Sequence, residues 1–221
     1  MEAVFFDWDG TLVDSLGSFH RANAHVMTSF GLPFDERIYR QHYVPDWRLM
    51  YTKLGVPGDR LDEANEMWHA AYATEPDVIA FDGVAAALDR LAAIGLALGI
   101  VTAGHRAIVL PQLEATGLGS RLPIRVFGDD LPVHKPDPAP LRLALAEAAL
   151  ADRPSAAAYI GDAPTDVQMA CAVGVRAVGI ASALGDPDDL RRAGADEVAV
   201  SVPAWVETFL GSEAPPAAEA S

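Results

Sequence analysis

The chain has 221 residues, 51% of them hydrophobic, enough to build a sizeable core and too apolar for wholesale disorder. Its net charge of −15 and pI near 4.6 exclude nucleic-acid backbones and anionic membrane surfaces as partners, since both demand clustered cations. The one cysteine, Cys171, excludes a disulfide framework or a Cys-rich zinc site, and the only lysines are Lys53 and Lys135.

Residues Ala3 to Phe6 form a short run of β-formers that ends at Asp7 and meets the turn-like Asp9-Gly10. This reads as a buried strand delivering its acids to a loop. The first nine residues carry Glu2, Asp7 and Asp9 where a secretory signal would have a basic start and an uncharged apolar run, and the longest uncharged stretch, Leu91 to Gly104, is 14 residues. A membrane span needs about 20. The expectation is a soluble, cytoplasmic protein without a membrane partner.

From 15 to 80 apolar residues recur at helical intervals, broken by Gly31-Leu32-Pro33 and Gly55-Val56-Pro57-Gly58. This stretch reads as an inserted unit of about four helices, with Asp14-Ser15 as a cap for the first. Trp47, Trp68 and, at its edge, Trp8 are available to pack it.

Beyond Asp82-Gly83 helices and apolar strands alternate: a helix over 84–94, a strand over 97–101, a helix over 106–116 that Pro111 should kink or whose regular part it should start, and a strand over 124–127. A helix over 139–150, a strand over 156–160, a helix over 165–173 and a strand over 175–180 follow, then a weaker unit reaching Leu210. Alternation of this kind predicts an α/β fold, a Rossmann-like, doubly wound parallel sheet covered on both faces. The domains are expected to be 1–14 with 81–210, the core, and 15–80, the helical insertion, with 211–221 a disordered tail. Cys171, among Ala170, Ala172 and Val173, reads as a small buried residue.

In open α/β sheets ligands bind beyond the carboxyl ends of the strands. The polar clusters sit there: Asp7-Trp8-Asp9-Gly10-Thr11, Thr102-Ala103-Gly104, Lys135-Pro136, and Gly161-Asp162-Ala163-Pro164-Thr165-Asp166. Asp7, Asp9, Asp162 and Asp166 would crowd four carboxylates, which is unfavourable unless a cation sits among them. Oxygen-only ligands suit a hard ion, Mg²⁺ in particular. Lys135, the Thr102 hydroxyl and the backbone N–H groups of Gly10, Thr11, Ala103 and Gly104 could hold a phosphate. The set describes phosphoryl transfer, in which one carboxylate attacks phosphorus and a neighbouring acid moves the proton.

The run Phe6 to Ser15 resembles the first motif of the haloacid dehalogenase superfamily, with Thr102, Lys135-Pro136 and Gly161-Asp162…Asp166 matching its second, third and fourth. The resemblance spans about residues 3 to 210. It implies Asp7 as nucleophile, Asp9 as general acid/base, and Thr102 and Lys135 as phosphate ligands. Mg²⁺ would be held by Asp7, the Asp9 carbonyl and Asp162, with Asp166 a ligand through water or the partner of Lys135. The insertion is similar to the helical cap of the phosphoglycolate phosphatase and β-phosphoglucomutase-like branch, which closes over the rim and reads the leaving group.

The implied activity is Mg²⁺-dependent hydrolysis of a small phosphorylated metabolite, phosphoglycolate-like, by a monomer or homodimer. A dehalogenase would replace Asp9 by an aromatic. A β-phosphoglucomutase would carry a His twelve positions after Asp7, where Phe19 stands beside His20, and Glu in place of Gly161. A phosphonatase would need a catalytic lysine in the insertion, where Lys53 reads instead as solvated. A non-catalytic phosphate-binding protein would be expected to have lost Asp7, Asp9 or Lys135.

In the insertion, Arg37, Arg40, His42 and Arg48 cluster around Tyr43 and Trp47. Arg40 and Arg48 are the candidates to read the leaving group. Asp129, Asp130 and His134 read as loop residues and His105 as a flank of the phosphate pocket. The Lys135–Pro136 bond is expected to be cis.

Overall fold

The computed structural model describes residues 1–42, 47–73, 78–182 and 185–213. The chain divides into two compact units, Met1–Val13 with Ala80–Ser221, and Asp14–Ile79.

The first unit is built on six parallel strands: β1 (Ala3–Phe6), β4 (Ala97–Val101), β5 (Ile124–Val126), β6 (Ala157–Gly161), β7 (Arg176–Ile180) and β8 (Glu197–Ala199). Their spatial order is β5-β4-β1-β6-β7-β8. The chain builds outward from β1 to β5, then returns to β6 on the other side of β1, so the switch point falls at β1. In register, Phe6 stands between Ile100 of β4 and Ile160 of β6. β1 is buried throughout, and its alternate residues serve opposite faces.

On one face Ala3, Phe5, Val101 and Tyr159 join a core with Leu141, Ala144 and Leu145 of α7 (Ala139–Glu147) and Val167, Met169 and Ala170 of α8 (Pro164–Val173). Elsewhere α5 (Val84–Ala93) packs on β4 and against α10 (Val202–Glu213), and α9 (Pro187–Ala193) lies on β7 and β8.

Helix α6 (Arg106–Ala115) contains Pro111 and is a single element that starts at Arg106, so Pro111 does not mark where its regular part starts. Trp8 belongs to this unit, not to the helical one: it is fully buried and its Nε1 donates to Gln112 of α6 at 2.8 Å. The alternation of a strand end placed it inward. Cys171 is exposed, with its thiol toward the Gly194 carbonyl at 3.4 Å, because the small residues around it do not all share one helix face. Helix α10 continues to Glu213, three residues into the stretch expected to be tail; residues 214–221 lie outside the described residues.

The second unit contains α1 (Leu16–Ser29), α2 (Glu36–His42), α3 (Trp47–Leu54) and α4 (Leu61–Tyr72). Val26, Met27, Tyr39, Met50, Tyr51, Leu54, Val56 and Ala64 form its core, with Trp47 and Trp68 packed against it. In its interior a neutral polar pair is satisfied: Tyr51 donates to Asn23 Oδ1 at 3.0 Å, and Asn23 donates to the Phe19 carbonyl at 2.8 Å. Ser15 takes the N-cap position of α1, but its side chain makes no capping hydrogen bond, so the expected cap is absent. Where the chain passes between units, β2 (Val13–Asp14) and β3 (Ile79–Ala80) pair as a two-stranded sheet. Elements this short carry no periodicity for the sequence to reveal. Among the described residues no helix is long and apolar enough to cross a membrane.

Candidate active site

Asp7 follows β1 directly, and its N–H donates to the Ile160 carbonyl at 2.8 Å, which extends the β1–β6 ladder to the rim. The next residues turn sharply: the Leu12 and Val13 N–H groups both donate to the Trp8 carbonyl, and Gly10 N–H donates to the Val13 carbonyl. Gly10 has φ of 75°, and a Cβ there would stand 2.3 Å from Asp162 Oδ2. Glycine is therefore required both by conformation and by the close approach of the Asp162 carboxylate.

After β4, Thr102 is anchored by its N–H to the Val126 carbonyl, and its Oγ1 accepts the Gly104 N–H at 2.9 Å. The space a side chain at Gly104 would take is bordered by Val109, Thr102 Oγ1 and Asp9 Oδ2. The Gly10 and Gly104 N–H groups, expected to cradle an anion, are thus engaged within the protein. Among the described residues, the Thr11 and Ala103 N–H groups donate no hydrogen bond, so these two amides are left for that role.

Lys135 lies in the segment between β5 and α7, and the Lys135–Pro136 bond is cis. Its side chain is 8% exposed, and its Nζ stands 2.7 Å from Asp7 Oδ1 and 2.8 Å from Asp166 Oδ1. Asp166 also accepts the Ala163 N–H at 3.0 Å, which caps α8. Asp166 thus pairs directly with Lys135, one of the two roles left open for it.

Two residues outside the expected set complete the arrangement. The Tyr159 ring lies 5.3 Å from Lys135 Nζ, and its hydroxyl donates to the Val101 carbonyl at 2.7 Å, with Asp166 Oδ1 at 3.3 Å. Ser182, just past β7, donates to Asp162 Oδ2 at 2.7 Å. A tyrosine inside an apolar strand resembles any core residue, and a serine in a loop carries no signal, so the sequence revealed neither.

The electrostatics follow from burial. Burial raises the Asp7 carboxyl well above the usual range; Lys135 opposes the rise, while Asp166 and Asp162 add to it. Burial, then the charge of Asp166, pushes Asp162 up to about 7, against the Ser182 hydrogen bond. Burial acts to lower the Lys135 ammonium, but Asp166 and Asp7 outweigh it and raise its pKa. Asp7, Asp162 and Asp166 offer oxygens within 4.8 Å of one another. One ammonium against these acids and Asp9 leaves excess negative charge, and oxygen-only donors match a hard divalent ion. The residues therefore fit Mg²⁺.

The other candidates fall elsewhere. Asp129 accepts the Arg106 N–H at 2.8 Å, and Asp130 pairs with the Arg106 guanidinium at 2.5 Å. Both acids thus secure the start of α6. His105 is the N-cap residue of α6, and His134 is exposed. Lys53 is exposed in the last turn of α3. Arg48 pairs with Asp62 at 2.6 Å and lies over the Trp47 ring. Arg40 lies in α2 with its side chain outside the described residues, and Tyr43 is outside them altogether.

Residues 4–180 match the haloacid dehalogenase-like hydrolase family model. A phosphoglycolate phosphatase from Rhodospirillum rubrum is 35% identical over 190 residues, covering 80% of this chain and 78% of its own. The pyrophosphatase PpaX of Bacillus velezensis is 33% identical over 187 residues, covering 81% and 82%. A crystal structure from Thermotoga maritima, assigned provisionally as a β-phosphoglucomutase, superposes with a TM-score of 0.76 at 26% identity, over 96% of this chain and 99% of that one. The chain belongs to the haloacid dehalogenase-like hydrolase family. Within it, the chain is an enzyme of the phosphatase type.

Proposed function

We propose that the protein is a Mg²⁺-dependent phosphomonoester hydrolase acting on a small phosphorylated metabolite, with phosphoglycolate the leading substrate. The observation that carries this reading is the buried Asp7–Lys135–Asp166 group with Asp162 beside it. The name of the R. rubrum relative supplies the substrate.

In the proposed reaction an Asp7 carboxylate oxygen attacks phosphorus and forms an aspartyl-phosphate as the ester P–O bond breaks. The Asp9 carboxyl gives its proton to the departing alkoxide. Asp9, now a carboxylate, takes a proton from water as that water attacks phosphorus. The Asp7–phosphoryl bond breaks, and inorganic phosphate and free Asp7 result. Lys135 balances charge on Asp7 and on the phosphoryl oxygens, and Thr102 with the Thr11 and Ala103 amides binds those oxygens. Asp7, the Asp9 carbonyl and Asp162 would hold Mg²⁺, with Asp166 fixing Lys135. The ion, when bound, supplies positive charge that keeps Asp7 ionised and polarises the phosphoryl group.

We assign the helical unit the role of a cap that excludes water and reads the leaving group, with Arg40 and Arg48 the proposed readers. The mutase reading has less support: Phe19, at the position where a mutase would carry histidine, stacks on Trp68 and Tyr72 and offers no acid or base.

The test is phosphate release from phosphoglycolate, sugar phosphates, nucleotides and pyrophosphate, with and without Mg²⁺. Strong turnover of one small monoester is expected, lost without metal and reduced roughly 10³-fold or more by Asp7→Asn. Interconversion of β-glucose 1-phosphate without net release would favour the mutase. A folded protein inactive on every ester would overturn the reading.

A further inference from the structure

Ser182 lies outside all four motif segments, yet its hydroxyl is fixed in both of its hydrogen-bonding roles. Its Oγ accepts the Gly185 N–H at 2.8 Å, and Ser182 N–H returns a bond to the Gly185 carbonyl at 3.2 Å. With that N–H directed at its oxygen, the single hydroxyl proton points to Asp162 Oδ2, 2.7 Å away. The arrangement depends on close backbone approach. A Cβ on Gly185 would stand 2.3 Å from the Asp162 carbonyl and 2.8 Å from the Ile180 carbonyl. From the other side, the Asp162 carboxylate lies against Gly10, where a Cβ would meet Oδ2 at 2.3 Å. Asp162 is thus held between a glycine surface and one oriented donor.

We propose that Ser182 is a positioning residue for the divalent cation, setting the orientation of Asp162 through this hydrogen bond. The inference rests on the Mg²⁺ reading of the site and extends it to a residue that touches neither the phosphate nor the ion. A hydroxyl donor satisfies one carboxylate oxygen and holds the carboxylate plane, so the ion does not bear the entropy of ordering Asp162. Partners of metal ligands typically contribute 10- to 100-fold in metal affinity when they act in this way.

The experiment compares the full-length metal-free wild type with Ser182→Ala and Ser182→Thr. Each is titrated with MgCl₂ while thermal stability is followed, and phosphate release is measured across the same Mg²⁺ range. Ser182→Ala is expected to raise the half-saturating Mg²⁺ concentration roughly 10- to 100-fold in both readouts, with kcat at saturating Mg²⁺ within roughly threefold of wild type. Ser182→Thr, which keeps the hydroxyl, is expected to restore affinity. Half-saturation within about twofold of wild type in the Ala variant would overturn the inference. So would a loss of kcat and stability that is equal at every Mg²⁺ concentration, the mark of a structural role alone. If the wild type itself responds to Mg²⁺ in neither readout, the cation reading falls and this inference with it. A Mg²⁺-dependent wild type with an unmoved Ala variant would remove the inference alone.

Discussion

At the carboxyl end of the sheet, Lys135 has 8% of its side chain exposed and meets two carboxylates. In the helical unit Arg48 meets Asp62 with 55% and 80% of the side chains exposed, and the interior polar pair, Tyr51 with Asn23, is uncharged. The same chemistry of cation and carboxylate therefore has different consequences in the two regions. In water-exposed pairs screening and side-chain entropy leave almost no net energy. Away from water each unpaired charge is costly, so the buried groups depend on one another. The α/β unit concentrates interdependent charges at one rim, while the helical unit is held mainly by apolar and aromatic packing.

The comparison breaks first at Lys135. Lys135→Met would leave Asp7 and Asp166 buried without their common partner. It is expected to destabilise the protein by about 3–5 kcal/mol in urea unfolding and to abolish phosphate release. A loss under about 1 kcal/mol would mean that the rim charges are solvated as Arg48 is.

The next test is the pH dependence of the metal-free protein. Asp162 has its pKa raised to about 7 in the fold, above its unfolded value near 3.9. Between these values the native state binds more protons than the unfolded chain, so stability is fully present below about pH 4 and falls as pH rises toward 7. Asp162 is expected to remove roughly 4 kcal/mol at most across that window. Asp162→Asn should flatten this part of the profile, and Mg²⁺ should offset the loss near neutrality. An Asp162→Asn profile parallel to wild type would show that burial does not shift this group.

The smallest effect is expected in the helical unit. Arg48→Ala should change stability by less than about 1 kcal/mol. As a proposed reader of the leaving group, it should raise KM for the preferred substrate by more than about twofold with kcat held, the pattern of lost uniform binding. Changes within twofold at both Arg40 and Arg48 would remove these two arginines from recognition.

The strands were legible because buried parallel strands are continuous apolar runs, and β1 and β4 have the expected bounds. Asp7, Asp162 and Asp166 were legible because strand ends deliver them to one rim, and Lys135 because lysine is rare in this chain. Other features depend on partners far away in sequence. Ser182 acquires its meaning from Asp162 and Trp8 from Gln112. Local periodicity also misjudged Cys171, since a run of small residues does not say which side of α8 faces the sheet. Arg48 was visible as a cation, but its pairing with Asp62 was not.

The pairing of β2 with β3 bears on how such a chain can be rebuilt. Paired strands lie about 4.8 Å apart, so the helical unit leaves and re-enters the sheet unit through adjacent doorways. It is topologically a side loop on the β1-to-α5 connection, and the order of the six parallel strands owes nothing to it. Exchanging one helical insert for another preserves both junctions, and the loop-closure cost grows only with the logarithm of insert length. Grafting at Val13 and Ala80 is therefore the natural seam for exchanging the helical insert while leaving the six parallel strands in place.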